Sequence, residues 1–464
     1  MQPRSHLSCA LTALLLCDGA VTGCASLPDT DAMLAHQSDQ AVRFGNALGP
    51  LTAKRSAALL QALQAGATEM DILERQMLLE QAINDSPLVV GNKTTLLQDG
   101  PATYAAMFAA MALAQDHINL ESYIFEDDAV GQAFVQVLLK QQRRGVQVNL
   151  MVDSVGGINT RKDFFVQLIE AGVAVLEFNP VNPVLARGDW SPNHRDHRKL
   201  LVVDGRLAFI GGINISSVYS SGAILHRVGK ARASPAAWRD TDLQIEGPVV
   251  AEFQKLFLQT WGKQHGPVLL PKAYFPPLAS VGHDIVRAIG STPDDPYSRM
   301  YLTLISAIGN AQRQVYLTNA YFVPDPQLRQ ALMDAAARGV DVQLILPSYS
   351  DSSLVFHAGR AHYADLLASG VRIFERRGAL LHAKTAVIDG IWSTVGSSNL
   401  DWRSFMDNDE IDAVVLGRDF AAQMLAMFAK DQSASSAVDA QMWARRGLTP
   451  RLMEWLGQLW QRWL

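Results

Sequence analysis

Two short segments carry the side chains that phosphodiester chemistry requires. His197-Arg-Lys199-Leu-Leu-Val-Val-Asp204 and His382-Ala-Lys384-Thr-Ala-Val-Ile-Asp389 share the spacing His-x-Lys-x-x-x-x-Asp. Each copy is followed at the same distance by Gly-[Gly/Ser]-x-Asn, ending at Asn214 and Asn399, and the two copies lie 185 positions apart (His197 to His382, Gly211 to Gly396). Residues i and i+2 of a strand project to one face, so each copy offers an imidazole beside an ammonium. A phosphodiester is an anion that repels nucleophiles; its cleavage needs charge neutralisation, a nucleophile and a proton for the departing alkoxide. Lys199, Lys384, Asn214 and Asn399 supply donors for the phosphoryl oxygens, while one histidine attacks and the other protonates the leaving oxygen. A single His-x-Lys pair describes many half-exposed basic strands. Two complete copies with matching downstream residues do not arise that way.

The catalytic set expected from the pattern is His197, Lys199, Asp204, His382, Lys384 and Asp389. Asp204 and Asp389 each close an apolar run that reads as buried strand, and the glycine after each reads as a hairpin turn. A nucleophilic imidazole must be neutral and oriented by a carboxylate on its other nitrogen. Asp240 and Glu410, at equivalent places downstream in the two copies, are the candidates. None of the clustered Cys, His and carboxylate patterns of a metal site surrounds these residues, and no cofactor is expected.

The elements that must position this chemistry are also duplicated. Ala114 to Leu120 with Phe125, then Arg144 to Val152, recurs as Ala311 to Leu317 with Phe322, then Arg338 to Leu346. Each copy reads strand, helix, strand: Val146, Val148 and Leu150 alternate as half-buried strand positions, as do Val340, Val342 and Leu344. Asp240 to Gly247 matches Glu410 to Gly417 in the same way. Two homologous α/β halves therefore run over 90–266 and 285–435, with the Pro/Gly-rich 267–284 as linker. The first half carries an insertion, Val218 to Ala237. A helical leader arm, 25–89, is expected to feed the first core, and 436–464 is an amphipathic segment. In it Leu452, Trp455, Leu456, Leu459 and Trp463 share a helical face, opposite or flanked by Arg451, Glu454, Gln458, Gln461 and Arg462; such a helix suits a membrane surface or the protein's own core.

At 464 residues and 48 % hydrophobic content the chain can bury large cores. Its net charge of −5 gives no global electrostatic case for nucleic acid, and no nucleic-acid partner is expected. All three cysteines, Cys9, Cys17 and Cys24, lie in the first 24 residues. There Arg4 precedes an apolar run from Leu7 to Leu16 and a small-residue stretch, Val21-Thr-Gly-Cys24, in the order of a secretory leader, although Asp18 interrupts it. The stretch resembles the lipobox of bacterial lipoproteins, with 1–24 as signal peptide, Cys24 as the lipidated residue, and no retention aspartate after it. This places the protein in the bacterial cell envelope, lipid-anchored and facing the periplasm, at the outer membrane rather than the inner.

The paired motifs resemble those of the phospholipase D superfamily. Within it, Leu120-Glu-Ser-Tyr123-Ile-Phe125, Ala320-Tyr-Phe-Val-Pro-Asp325, Phe209 to Asn214 and Gly396 to Phe405 leading to Glu410 are similar to bacterial cardiolipin synthases. The resemblance covers residues 90 to 464. It implies two phospholipase D-like α/β/α lobes with mixed central sheets, forming a pseudo-dimer around one shared active site. It further implies that phosphatidylglycerol yields cardiolipin through a covalent phosphohistidine intermediate, with the first motif's His197 attacking. A lipid hydrolase using water as acceptor is the alternative, and a nuclease of the same superfamily a more distant one. Asp196 before His197, and Asp409 where an aromatic is common, depart from the pattern and put an extra anion beside the phosphate site.

Overall fold

The computed structural model describes residues 41–64, 71–84, 86–182, 191–220, 224–225, 232–233 and 236–460. The leader with Cys24 and the last four residues lie outside the described residues.

Two mixed sheets share a core of seven strands in the same order, extended by Phe44–Asn46 beside Leu88–Gln98 and by Ser435–Ala437 beside Arg372–Arg376. In the first lobe the order is Leu88–Gln98, Thr241–Glu246, Leu207–Gly211, Lys199–Val203, His117–Ser122, Gln147–Asp153, Ala174–Phe178. In the second it is Asp284–Ser291, Asn408–Leu416, Trp392–Gly396, Lys384–Ile388, Gln314–Asn319, Asp341–Pro347, Arg372–Arg376. The last three strands of each run parallel and the rest antiparallel. Leu88–Gln98 also pairs antiparallel with Asp284–Ser291, which joins the sheets edge to edge.

Alternation within the motif strands decides which core each residue enters. Leu201 and Val203 face an outer core under helices Gly100–Leu113, Ala129–Arg143 and Lys162–Glu170, with Tyr104, Phe134 and Phe164. Leu200 and Val202 face a middle layer with Phe253 and Phe257 of helix Val250–Lys263 and Phe420 and Met424 of helix Arg418–Ser433. That middle core draws residues from both lobes, so hydrophobic burial itself holds the lobes in register.

The hairpin turns form as expected: Asp204 and Gly205 have φ of 54° and 61°, and Asp389 and Gly390 have 53° and 65°, left-handed pairs at the centre of turns closed by Arg206 N to Val203 O and Ile391 N to Ile388 O. The leader arm differs from expectation. Phe44, Leu60, Met77 and Ile83 join the core of the second lobe, not the first. Gln76 donates to Ser306 Oγ (3.0 Å), Asn84 to Thr303 Oγ1 (3.1 Å), and the buried Glu80 lies 3.5 Å from Arg287. A helix so near the first lobe in sequence packs on the second because helix Arg299–Asn310 presents these polar partners there.

Candidate active site

His197 and His382 each sit two residues before the lysine that opens a motif strand, and each is held by the opposite lobe. The His197 amide donates to Asp409 O (2.9 Å), and the His382 amide donates to Arg239 O (2.7 Å). The next residue on each supporting segment supplies the carboxylate. Glu410 lies 3.0 and 3.1 Å from His197 Nδ1, and Asp240 lies 2.7 Å from His382 Nδ1. Both carboxylates expected from sequence are thus brought to imidazoles, but across the lobes: the first lobe's histidine is served by the second lobe's acid and the reverse. A carboxylate on Nδ1 fixes the proton there and leaves the lone pair on Nε2.

Lys199 and Lys384 donate back to the carbonyls of His197 and His382, and Lys384 Nζ lies 3.0 Å from His382 Nδ1. Both lysines and both histidines are almost fully buried. Burial, helped by Lys199 and Lys384, holds the His197 imidazole well below its ordinary pKa; burial and Lys384 lower His382, against the pull of Asp240. Burial likewise brings Lys199 down to about 7 and lowers Lys384, both opposed by the nearby carboxylates. Glu410 is pushed up to about 7 by burial, opposed by Lys199 and by hydrogen bonds from Ser397, Ser404 and Asn408. A phosphate anion beside them would favour the charged form of both lysines.

Glycines let the carboxylates approach. A Cβ on Gly212 would stand 2.2 Å from Asp240 Oδ1, and one on Gly211 or Gly396 2.0 Å from Asp242 Oδ1 or Asp412 Oδ1. Where the first lobe has Gly212, the second has Ser397, whose hydroxyl donates to Glu410 at 2.5 Å; Ser404 adds a donor at 2.7 Å. The rings around the two imidazoles also differ. Tyr123 lies 5.1 Å from the His197 ring, whereas Tyr219, Trp238 and Tyr321 lie 5.8, 5.5 and 6.0 Å from His382. Sequence reasoning assigned no role to Ser397, Ser404 or these aromatics. Tyr219 lies within the first lobe's insertion and Trp238 directly after it, and that insertion is the one signal that marked their neighbourhood.

The remaining expected residues divide. Asn214 Oδ1 accepts from the Ile124 amide (3.0 Å) and its Nδ2 donates to the Tyr219 hydroxyl (3.1 Å), whereas Asn399 Oδ1, also buried, has no hydrogen-bond partner. Asp204 and Asp389 require correction as catalytic residues. Asp204 accepts from the amides of Gln115, Asp116 and His117 at 2.8 to 3.0 Å, and Asp389 from those of Gln312, Arg313 and Gln314 at the same distances. Each stands at the far end of its strand, about 16 Å beyond the motif lysine at ~3.3 Å per residue. They tie the motif hairpin to the start of the neighbouring strand.

The anions feared beside the phosphate are accounted for. Asp196 accepts from the Arg198 amide (3.2 Å), and burial and Glu121 push its carboxyl well up, opposed by Arg198. Asp409 accepts from His194 Nε2 (3.0 Å); although burial opposes it, Arg198 and His194 hold it below its ordinary value. Among the described residues no group of three or more His, Cys, Asp or Glu could hold a metal ion.

Comparison with known proteins agrees with this geometry. The family model described as "Cardiolipin synthase, PLD-like domain" matches residues 107–221 and 304–432, one segment in each lobe. The chain is 34 % identical over 397 residues to a cardiolipin synthase of Geobacillus sp. (strain WCH70), covering 84 % of this chain and 77 % of that one. It is 36 % identical over 362 residues to cardiolipin synthase A of Pseudomonas putida, covering 76 % and 71 %. The crystal structure of phosphatidylserine synthase from Haemophilus influenzae Rd KW20 superposes with a TM-score of 0.60 at 14 % identity, over 83 % of this chain and 99 % of that one, and so shares the fold.

Proposed function

Because the chain belongs to the cardiolipin synthase, PLD-like domain family and is a phospholipase D-type phosphatidyltransferase acting on phospholipid, we propose that it makes cardiolipin from phosphatidylglycerol through a phosphohistidine. His197 Nε2 attacks phosphorus, and the bond from phosphorus to the headgroup glycerol oxygen breaks. His382 gives that oxygen its proton, and glycerol leaves. The now neutral His382 takes the proton from the hydroxyl of a second phosphatidylglycerol; that oxygen attacks phosphorus, the N–P bond breaks, and the diphosphatidyl product departs. Lys199 and Lys384 neutralise the phosphoryl oxygens throughout.

The observation that carries this reading is the crossed pairing, Glu410 on His197 and Asp240 on His382. It orients two imidazoles through Nδ1, so that His197 presents an Nε2 lone pair to phosphorus while His382, as imidazolium beside Asp240, presents Nε2–H to the leaving oxygen. The unequal surroundings favour His197 as nucleophile: its acid is fixed by Ser397 and Ser404, which suits a ring that must not turn, while His382 has a phenol 3.3 Å from Nδ1. Incubation of the purified protein with phosphatidylglycerol vesicles, followed by separation of the lipids, tests the reading. Cardiolipin with glycerol supports it. Phosphatidic acid without cardiolipin would make the protein a hydrolase, and nucleotide release from DNA a nuclease.

Attachment through a lipidated Cys24, facing the periplasm from the outer membrane, would keep the enzyme at its substrate; the Val21-Thr-Gly-Cys24 leader supports it. Among the described residues no helix is long and apolar enough to cross a membrane. Cys24→Ala is expected to release the protein or block its processing, and fractionation of the wild type into the soluble cytoplasm would refute the attachment.

A further inference from the structure

Helix Leu448–Leu459 is mounted the wrong way round for a helix packed on a protein in water. The side it turns inward carries Glu454 and Gly457, both buried. Gly457 is pressed on helix Ser353–Arg360, where an added Cβ would stand 2.6 Å from Ala358 N. Glu454 is paired with Arg446 at 2.7 and 2.9 Å. The opposite side carries Leu448, Leu452, Trp455, Leu456, Leu459 and Trp460, each between 38 % and 83 % exposed. A helix that hides its ion pair and shows its leucines and tryptophans is unfavourable in water, so something apolar covers that face.

The helix is not a loose tail. Trp443, just before it, lies 4.9 Å from the Tyr363 ring, with Arg360 and Arg446 against its faces at 4.7 and 4.5 Å. Its support connects it to the active site. Helix Ser353–Arg360, on which it rests, follows Asp351, which accepts from the Tyr321 hydroxyl (2.7 Å); Tyr321 is one of the rings around His382. At its other end, Gly359 abuts Phe322 O, where an added Cβ would stand at 2.1 Å. The apolar face is thus two helices removed from a catalytic histidine.

Charge selects the occupant. From Ala440 to Leu464 the sequence has four arginines and one acidic residue, in a chain of net charge −5. Arg445 and Arg451 are exposed. Two copies of this face would repel one another, whereas tryptophans and leucines flanked by arginine suit the interface of an anionic bilayer.

Resting on the lipid-transferase reading above, we propose that the outward face of helix Leu448–Leu459 inserts into the surface of a phosphatidylglycerol-containing bilayer and seats the cleft on its substrate. Two measurements on the full chain test this. In the first, Leu452→Asp with Leu459→Asp is compared with wild type on phosphatidylglycerol vesicles and on monomerically dispersed short-chain phosphatidylglycerol. The expected result is a loss of about tenfold or more on vesicles and a change within about twofold on dispersed lipid. In the second, a spin label on Leu459→Cys, with the labelled wild-type spectrum subtracted, reports depth in the same vesicles; this conservative exchange keeps the test alive if the double variant fails to fold. A label below the headgroups supports the proposal. A label left in water while the enzyme turns over bilayer lipid overturns it, as does full vesicle activity of the double variant. A wild-type dimer dissociated by the double variant would assign the face to a second copy and likewise overturn it. A wild type inactive on both lipid forms, with the label immersed, would refute the transferase reading and leave the docking surface standing.

Discussion

Glu410→Gln isolates what the crossed carboxylate does for the histidine of the other lobe. The exchange keeps the shape and removes the charge. Every neighbour of the Glu410 carboxylate is a donor: His197 Nδ1 at 3.0 Å, Ser397 at 2.5 Å, Ser404 at 2.7 Å and Asn408 at 3.4 Å. A glutamine NH2 fits only where a serine hydroxyl turns to accept from it or where the imidazole gives up its Nδ1 proton. If it faces the imidazole, Nδ1 becomes the acceptor and the proton moves to Nε2, the atom that must attack. Loss of a hydrogen bond to a charged group costs about 1.5–3 kcal/mol, or roughly 10- to 100-fold in rate at ~1.4 kcal/mol per decade. The wrong tautomer adds to that, up to about 10⁴-fold in the serine-protease counterpart. We expect a fall of about 10²–10⁴ in the first chemical step. A phosphatidyl ester of nitrophenol reads that step as a burst of phenolate, because an activated leaving group needs no acid. Glu410→Gln should lose the burst; Asp240→Asn, which deprives His382, should keep it and slow only turnover. The gap between wild type and Glu410→Gln should narrow below pH about 7, where Glu410 is itself protonated. A burst kept by Glu410→Gln and lost by Asp240→Asn would reverse the histidine roles. Unchanged bursts and turnover in both would refute the importance of the crossed pairing.

Lys199→Met or Lys384→Met should each lower the rate by about 10²-fold or more, since phosphate charge is then uncompensated in a buried pocket, while prolonged chelation should leave activity intact; loss on chelation with rescue by one ion would contradict the site. Lys199, brought down to about 7 by burial, predicts that kcat/KM falls as pH rises through about 7 and that the same limb in kcat lies higher, because bound phosphate favours the ammonium; coincident limbs would count against it. Asp204→Ala should destabilise by about 1–3 kcal/mol in urea unfolding, through three orphaned amides and a left-handed backbone, while kcat of the folded protein stays within about twofold; a loss near tenfold or more would return Asp204 to the chemistry. Gly396→Ala should abolish activity in a protein that still expresses, because its Cβ meets Asp412 Oδ1 at 2.0 Å, and retained activity would show that the strands yield.

The sequence alone determined the duplication, the Asp-Gly hairpin turns and the paired histidines and lysines of the two motifs. All of these rest on short-range rules, strand alternation and turn chemistry, or on self-similarity between the halves, and none requires knowing how the lobes meet. It also singled out Asp240 and Glu410, because equivalent places in a repeat must serve equivalent ends. Only the tertiary structure decided which acid serves which histidine. Period-2 patterns cannot tell a carboxylate that reaches its own lobe's imidazole from one that crosses an interface built by Leu200, Phe257, Phe420 and Met424. The same limit explains the leader arm, whose partners on helix Arg299–Asn310 are more than 200 residues away, whereas the distance of Asp204 and Asp389 from the site follows from strand length alone. The C-terminal helix makes the point most directly. Its amphipathic face was legible from residue spacing, but spacing cannot say whether that face turns inward or outward; the close approach of Gly457 and the buried Glu454–Arg446 pair turn it out.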